Sequence, residues 1–165
     1  MTSVVIMGVS GCGKSSLGAA LAARLGWTLI EGDEYHPPEN VAKMSAGIAL
    51  GDSDRIGWLD ALAVELQRHP LGAVLTCSAL KKAYRDRLRA VVPGLLFVHL
   101  ELTRELARQR VEQRAGGHYF RGNLVDSQFE ALESTHGELG VLAIDATAPI
   151  EQMTGQALQW IKEND

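Results

Sequence analysis

Residues Gly8-Val9-Ser10-Gly11-Cys12-Gly13-Lys14-Ser15 fit the pattern G-x-x-x-x-G-K-[S/T], and what flanks them constrains the fold further. The apolar run Val4-Val5-Ile6-Met7 precedes the motif, and an Ala/Leu-rich stretch with helical spacing, Ser16 to Leu25, follows it. A strand, a glycine-rich loop and a helix in that order form a phosphate cradle. The glycines let successive backbone N–H groups turn inward, and the helix N-terminus adds its partial positive charge. Gly8, Val9, Ser10, Gly11, Cys12, Gly13, Lys14, Ser15 and Ser16 are therefore the expected triphosphate-binding residues. Lys14 is placed to reach the β- and γ-phosphates as a catalytic cation, and the Ser15 hydroxyl to ligate Mg²⁺.

Four further short apolar runs follow the first, Ser3–Met7: Trp27–Ile30, Ala73–Cys77, Leu95–Leu100 and Val141–Ile144. Most are continuous rather than alternating, which suits strands covered on both faces. Helical patterns fill the gaps at Lys14–Leu25, Ile56–Gln67, Lys81–Val91, Arg104–Arg114, Leu124–Glu133 and Ile150–Lys162. Alternation of this kind predicts right-handed strand–helix–strand units: an α/β fold with three layers, α/β/α, around a five-stranded parallel sheet. The chain has 165 residues and no Pro/Gly/Ser-rich linker, so residues 1–165 are expected to form one domain.

A formal charge of −4 argues against a general nucleic-acid or membrane-surface role, and no apolar run has membrane-spanning length. Cys12 and Cys77 lack any Cys/His cluster around them. In a chain without a leader they read as reduced thiols, which predicts a cytoplasmic location.

In a doubly wound sheet, ligands gather beyond the carboxyl ends of the strands. The second strand runs into Glu31-Gly32-Asp33, beside the phosphate loop. Phosphoryl transfer needs its acceptor hydroxyl oriented and its proton accepted, and Asp33 is the candidate for that task. Glu31 and Asp33 are also candidates for holding Mg²⁺ through water. Solvated loop acids would look the same without the phosphate loop next to them. Between Asn40 and Arg55 lie Lys43 and Arg55, candidate acceptor-binding cations; Arg55 opens the helix that carries Trp58 and could clamp an anion bidentately. Lys81, Arg85 and Arg89 form a basic helical face after the third strand, on which Lys82 and Arg85 are the residues expected to touch substrate. Arg110 and Arg114 share a helix face that breaks at Gly116-Gly117 before His118. Arginines ahead of a glycine hinge suggest a mobile lid over residues 114–124, closing positive charge over the transferring phosphate and shutting out water.

These blocks together resemble the bacterial-type gluconate kinases. The resemblance rests on Gly8–Ser15, Gly32-Asp33-x-x-His36-Pro37, Asn40-x-x-Lys43-Met44-x-x-Gly47 and Asp52-x-Asp54-Arg55-x-x-Trp58-Leu59. Cys77-Ser78-Ala79-Leu80-Lys81-x-x-Tyr84-Arg85-Asp86-x-Leu88-Arg89 and Ser127-Gln128-Phe129-x-x-Leu132-Glu133 extend it over nearly the whole chain. The resemblance implies a shikimate-kinase-like fold, ATP as phosphoryl donor, Mg²⁺ dependence, D-gluconate as acceptor, 6-phosphogluconate as product and a homodimer. It also implies acceptor contacts from Asp33, His36, Arg55, Lys82, Arg85 and His118. The sequence departs from the family pattern at Gly57 and Ala49, where prolines are usual, at Ser134-Thr135 after Glu133, and in a lid one residue longer between Arg114 and His118.

Two other classes share parts of this pattern. A kinase for another small metabolite, a shikimate-like acid or a nucleoside monophosphate, would share the phosphate loop. Shikimate kinases, however, carry a glycine-rich turn where this chain has Cys77-Ser78-Ala79-Leu80-Lys81. A nucleotide-dependent regulatory module would have no need of Asp33 or of the lid arginines. The chain lacks an Asn-Lys-x-Asp guanine motif, and no strand ahead of Asp145 ends in a Walker-B aspartate, which speaks against a GTPase switch or an ATPase motor.

Overall fold

The computed structural model describes residues 2–114 and 120–165, the side chains of 120–123 excepted. In chain order the elements are β1 (Val4–Met7), α1 (Lys14–Leu25), β2 (Thr28–Glu31), a 3-10 turn (Gly32–Tyr35), α2 (Pro38–Ser45), α3 (Asp52–Gln67) and β3 (Ala73–Thr76). There follow α4 (Lys82–Val91), β4 (Leu96–Glu101), α5 (Arg104–Arg114), α6 (Phe120–Ala131), β5 (Val141–Asp145) and α7 (Ile150–Asn164). The five strands are all parallel in the order β2-β3-β1-β4-β5, with Val5 of β1 level with Leu75 and Phe97 on its two neighbours.

β1 is central, and its successive side chains go to opposite faces. Val4 and Ile6 enter a core with Leu17 and Leu21 of α1, Val125 of α6 and Ala157 and Ile161 of α7. Val5 and Met7 enter a second core with Trp58, Leu59 and Leu62 of α3 and Tyr84 and Leu88 of α4. Burial on both faces explains why β1 reads as a continuous apolar run. It also anchors the phosphate loop, since the residues just before it have no freedom to shift.

The expected strands and six of the helices appear with ends moved by a few residues. α3 begins at Asp52, ahead of the expected Ile56. The Asp54 carboxylate accepts the Gly51 N–H at 2.9 Å and satisfies a backbone donor at the helix start, so the helix opens on its acidic residues. α2 has no counterpart among the expected helices. Pro38 occupies the first helical turn, a position at which the missing N–H costs nothing. α6 begins at Phe120, so residues 120–124, expected as part of a lid, form its first turn. The rest of the expected lid, residues 115–119 with His118, lies outside the described residues.

Candidate active site

The phosphate loop leaves β1 at Gly8, whose φ of +143° favours glycine. A Cβ there would fall 2.8 Å from Cys12 Sγ and 2.9 Å from the Leu100 carbonyl oxygen, so the loop closes only without a side chain. The Gly8 N–H donates to the Ser78 carbonyl at 3.2 Å, tying the loop to the end of β3. Lys14 Nζ donates to the carbonyls of Gly8 and Val9 at 3.0 and 3.1 Å, which holds the cation over its own loop.

At the next strand end, Ser15 Oγ donates to Glu31 Oε2 at 3.0 Å and Thr76 Oγ1 donates to the same oxygen at 2.6 Å. Thr76 also accepts the Gly32 N–H at 3.3 Å, so one hydroxyl orders both the carboxylate and the turn behind it. Gly32 is obligatory for packing: a Cβ would lie 2.2 Å from the Thr76 carbonyl oxygen. The Gly32 carbonyl accepts Trp58 Nε1–H at 2.8 Å, locking the turn to α3. That turn presents Asp33 with its side chain 90% exposed, while the His36 side chain, 4% exposed, stacks on the Trp58 ring at 4.1 Å between centroids.

Ser10 and Lys14 of the phosphate loop line one cleft of about 120 Å³ together with Asp33, His36, Arg55 and Trp58. α6 contributes Leu124, Ser127 and Gln128 to its wall. Gln128 grips the loop, its Oε1 accepting the Ser10 N–H at 2.6 Å and its Nε2 donating to Ser10 Oγ at 2.9 Å. Arg55 is 9% exposed, and its Nη1 donates to the Tyr84 hydroxyl at 3.2 Å with the guanidinium 5.5 Å from the ring centre. The Tyr84 hydroxyl in turn donates to the Asp52 carboxylate. Desolvation and that carboxylate raise the pKa of Tyr84, so it remains a neutral phenol at neutral pH. Bonds from Tyr84 and then Lys81 lower the pKa of Asp52.

Arg110 donates to the carbonyls of Gly11 at 3.1 Å and Ala146 at 3.3 Å, bridging the phosphate loop to the chain after β5. With Arg114, Gly11, Gly13 and Ser16 it lines an open depression of about 380 Å³ beside the loop. Cys77 is buried, and desolvation pushes its thiol up to about 12, which leaves it inert as a nucleophile; Cys12 and Cys77 are both free thiols.

Three expected acceptor-binding cations are engaged elsewhere. Arg85 is fully buried; its Nε and Nη2 donate to the two Glu138 oxygens at 2.8 and 2.9 Å and its Nη1 to the Ala79 carbonyl at 2.7 Å. It is an internal structural cation, correcting the expectation that it meets substrate. Lys82 pairs with Asp86 at 2.6 Å on an exposed face of α4, and Lys43 pairs with Asp54 at 2.9 Å, tying α2 to the start of α3. Neither lies among the residues that line the cleft. The reading of the residues assigned no site role to Thr76, Tyr84, Asn40 or Gln128. A strand-end threonine or a helix-borne tyrosine carries no signal until its partner is in view.

A family model described as an AAA domain matches residues 4–139. The chain is 38% identical over 163 residues to the thermoresistant gluconokinase of Escherichia coli, covering 96% of this chain and 93% of that one. It is 48% identical over 135 residues to the gluconokinase of Gluconobacter oxydans, covering 79% and 74% of the two chains. The crystal structure of a gluconokinase from Sinorhizobium meliloti superposes with a TM-score of 0.90 at 43% identity, covering 98% of this chain and 92% of that one. A five-stranded parallel sheet carrying this phosphate loop, and likenesses of this extent, show that the chain belongs to the gluconokinase family.

Proposed function

We propose that this protein transfers the γ-phosphoryl group of ATP to the terminal hydroxyl of D-gluconate, releasing ADP and 6-phospho-D-gluconate. The observation that carries the reading is the shared cleft, in which Ser10 and Lys14 stand opposite an aspartate, a histidine and an arginine suited to a polyol acid. The names of the similar proteins carry the choice of gluconate.

In this reading the backbone of Gly8–Ser16 and Lys14 hold the β- and γ-phosphates, and Arg110 and Arg114 supply positive charge as it redistributes in the transition state. The acceptor hydroxyl oxygen forms a bond to the γ-phosphorus while the bond from that phosphorus to the bridging oxygen of ADP breaks. Asp33 takes the hydroxyl proton, and His36 contacts a hydroxyl oxygen. Arg55 pairs with the gluconate carboxylate: its Nη1 is held by Tyr84, so the guanidinium meets an anion already oriented.

Ser15 Oγ beside Glu31 Oε2 is an all-oxygen donor pair that fits Mg²⁺, a cation that keeps several waters and takes only one or two protein oxygens. When bound, the ion neutralises charge on the β- and γ-phosphate oxygens. In this reading Asp33, two residues beyond Glu31, also holds the ion through water. A cytoplasmic location and a homodimer belong to the same reading. Among the described residues, no helix is long and apolar enough to cross a membrane.

Asp33→Asn tests the proton-acceptor role. It should cut kcat by about 10²–10⁴-fold while a fluorescent ATP analogue still binds and the melting curve is retained. Near-normal turnover would remove Asp33 from that role.

A further inference from the structure

His36 offers its Nε2 towards the cleft, 3.9 Å from Asp33 Oδ1, and its Nδ1 towards Asn40 Nδ2 at 3.2 Å. A ring nitrogen can donate or accept, so what His36 contributes to the site depends on which nitrogen carries the proton. Asn40 decides this. It is 2% exposed, and its Nδ2 also donates to the Asp54 carbonyl at 2.8 Å. A backbone carbonyl only accepts, so the nitrogen end of the Asn40 amide must face Asp54, and its second N–H is the group that meets His36 Nδ1. That nitrogen must therefore present a lone pair. We propose that Asn40 is a positioning residue that locks His36 in the neutral Nε2–H tautomer, which makes the cleft-facing nitrogen a donor only.

The surroundings support the lock. The stack on Trp58, with the planes 16° apart, fixes the plane of the imidazole, and a ring turned over would set a carbon against the Asn40 amide. Burial, and then Arg55 on α3, lower the pKa of His36, while Asp33 on the preceding turn pulls it up; the net shift is downward. An imidazolium would also bring Nδ1–H against an N–H of Asn40.

This deepens the proposed function and rests on it for the identity of the acceptor. A donor-only nitrogen beside a carboxylate selects the chemistry of the group between them. An alcohol can accept from His36 Nε2–H while giving its own hydrogen to Asp33. A carbonyl oxygen cannot donate, and a carboxylate would be repelled by Asp33. The pair thus reads a hydroxyl end, and the acid end is left to Arg55. It also removes His36 as a competing base, because its cleft-facing nitrogen has no free lone pair.

Long-range ¹H–¹⁵N correlation on the full chain with ¹⁵N-labelled histidine reads the tautomer directly, and the signal lost in His36→Phe identifies the ring. The expected result is a protonated Nε2 and a bare Nδ1 across neutral pH. A protonated Nδ1, or an even mixture of tautomers, overturns the proposal without any variant having to fold. In Asn40→Asp the new carboxylate accepts from Nδ1–H, so the tautomer should invert and the histidine should titrate at higher pH than in the parent. Above that titration the KM for gluconate should rise about tenfold, the loss of one hydrogen bond to a buried donor, with the KM for ATP unchanged. An unchanged tautomer, or equal changes in the two KM values, contradicts it. Absence of gluconate turnover in the parent protein would overturn the substrate assignment instead, and the nitrogen signals would still decide the tautomer.

Discussion

Arg55 shows how much of the site depends on single side chains held by others. It sits in the first turn of α3 with Tyr84 under its guanidinium and Asp52 behind the Tyr84 hydroxyl. Removing it takes away charge that lines the cleft and leaves the phosphate loop untouched. Arg55→Ala should raise the KM for gluconate by about 10–100-fold, the range of a charge-assisted hydrogen bond, and the KM for ATP by less than about threefold. Equal changes in steady-state titrations of the two substrates would argue against a carboxylate clamp. Arg55 stands out in the sequence because it opens a helix beside an aromatic residue, and the fold sets it on the cleft. Arg85 was misread for an equally physical reason: spacing on a helix face shows that a cation exists but not which carboxylate lies across from it. Glu138, 53 residues further on, neutralises it. Asn40 and Tyr84 were illegible as site residues because their effect passes through His36 and Arg55.

At the scale of elements, the segment between α6 and β5 anchors α4. Glu133 Oε1 accepts the Lys82 N–H at 2.7 Å, placing a carboxylate on the open backbone donors of the helix start. Glu138 receives Arg85 and also Arg89, whose Nη2 donates at 2.7 Å while its guanidinium covers Phe97 at 4.6 Å. Desolvation opposes ionisation of Glu138, but the bonds from Arg85 and Arg89 outweigh it and hold its carboxyl below the usual range. Truncating one partner would strand a buried charge. Arg85→Ala should lower the free energy of unfolding by about 3–5 kcal/mol in denaturant titrations, with the KM for gluconate of the folded enzyme within about twofold of the parent. A large KM increase without loss of stability would return Arg85 to the substrate site. β1, β3 and β4 were readable because burial on both faces leaves continuous apolar runs. α2 was not, because its eight residues bury only Asn40 and open on two prolines.

For the molecule as a whole, the two cores on either face of the sheet hold the strand ends in register, and one polar residue inside them makes stability depend on pH. His99 on β4 is 5% exposed and bonded to Thr135 Oγ1 at 2.9 Å. Desolvation, with Arg85 adding to it, lowers its pKa from 6.5 to about 4. The unfolded chain therefore binds this proton at higher pH than the folded one. Its contribution to stability is complete above the unfolded value and is lost as pH falls from 6.5 towards about 4. The full loss is on the order of 3 kcal/mol. Unfolding curves across that window should show a smaller acid-side decline in His99→Gln than in the parent, and identical slopes would remove His99 as the cause.

The central claim is that the phosphate loop and the Asp33–His36–Arg55 group form one site with two halves, a triphosphate on one and a polyol acid on the other. Initial rates of ADP release, measured with ATP and Mg²⁺ against gluconate, related sugar acids, shikimate and nucleoside monophosphates, test it most directly. Gluconate should give the highest kcat/KM, with 6-phosphogluconate as the product and only background ADP release when no acceptor is present. Turnover with a nucleoside monophosphate or shikimate but none with gluconate would contradict it.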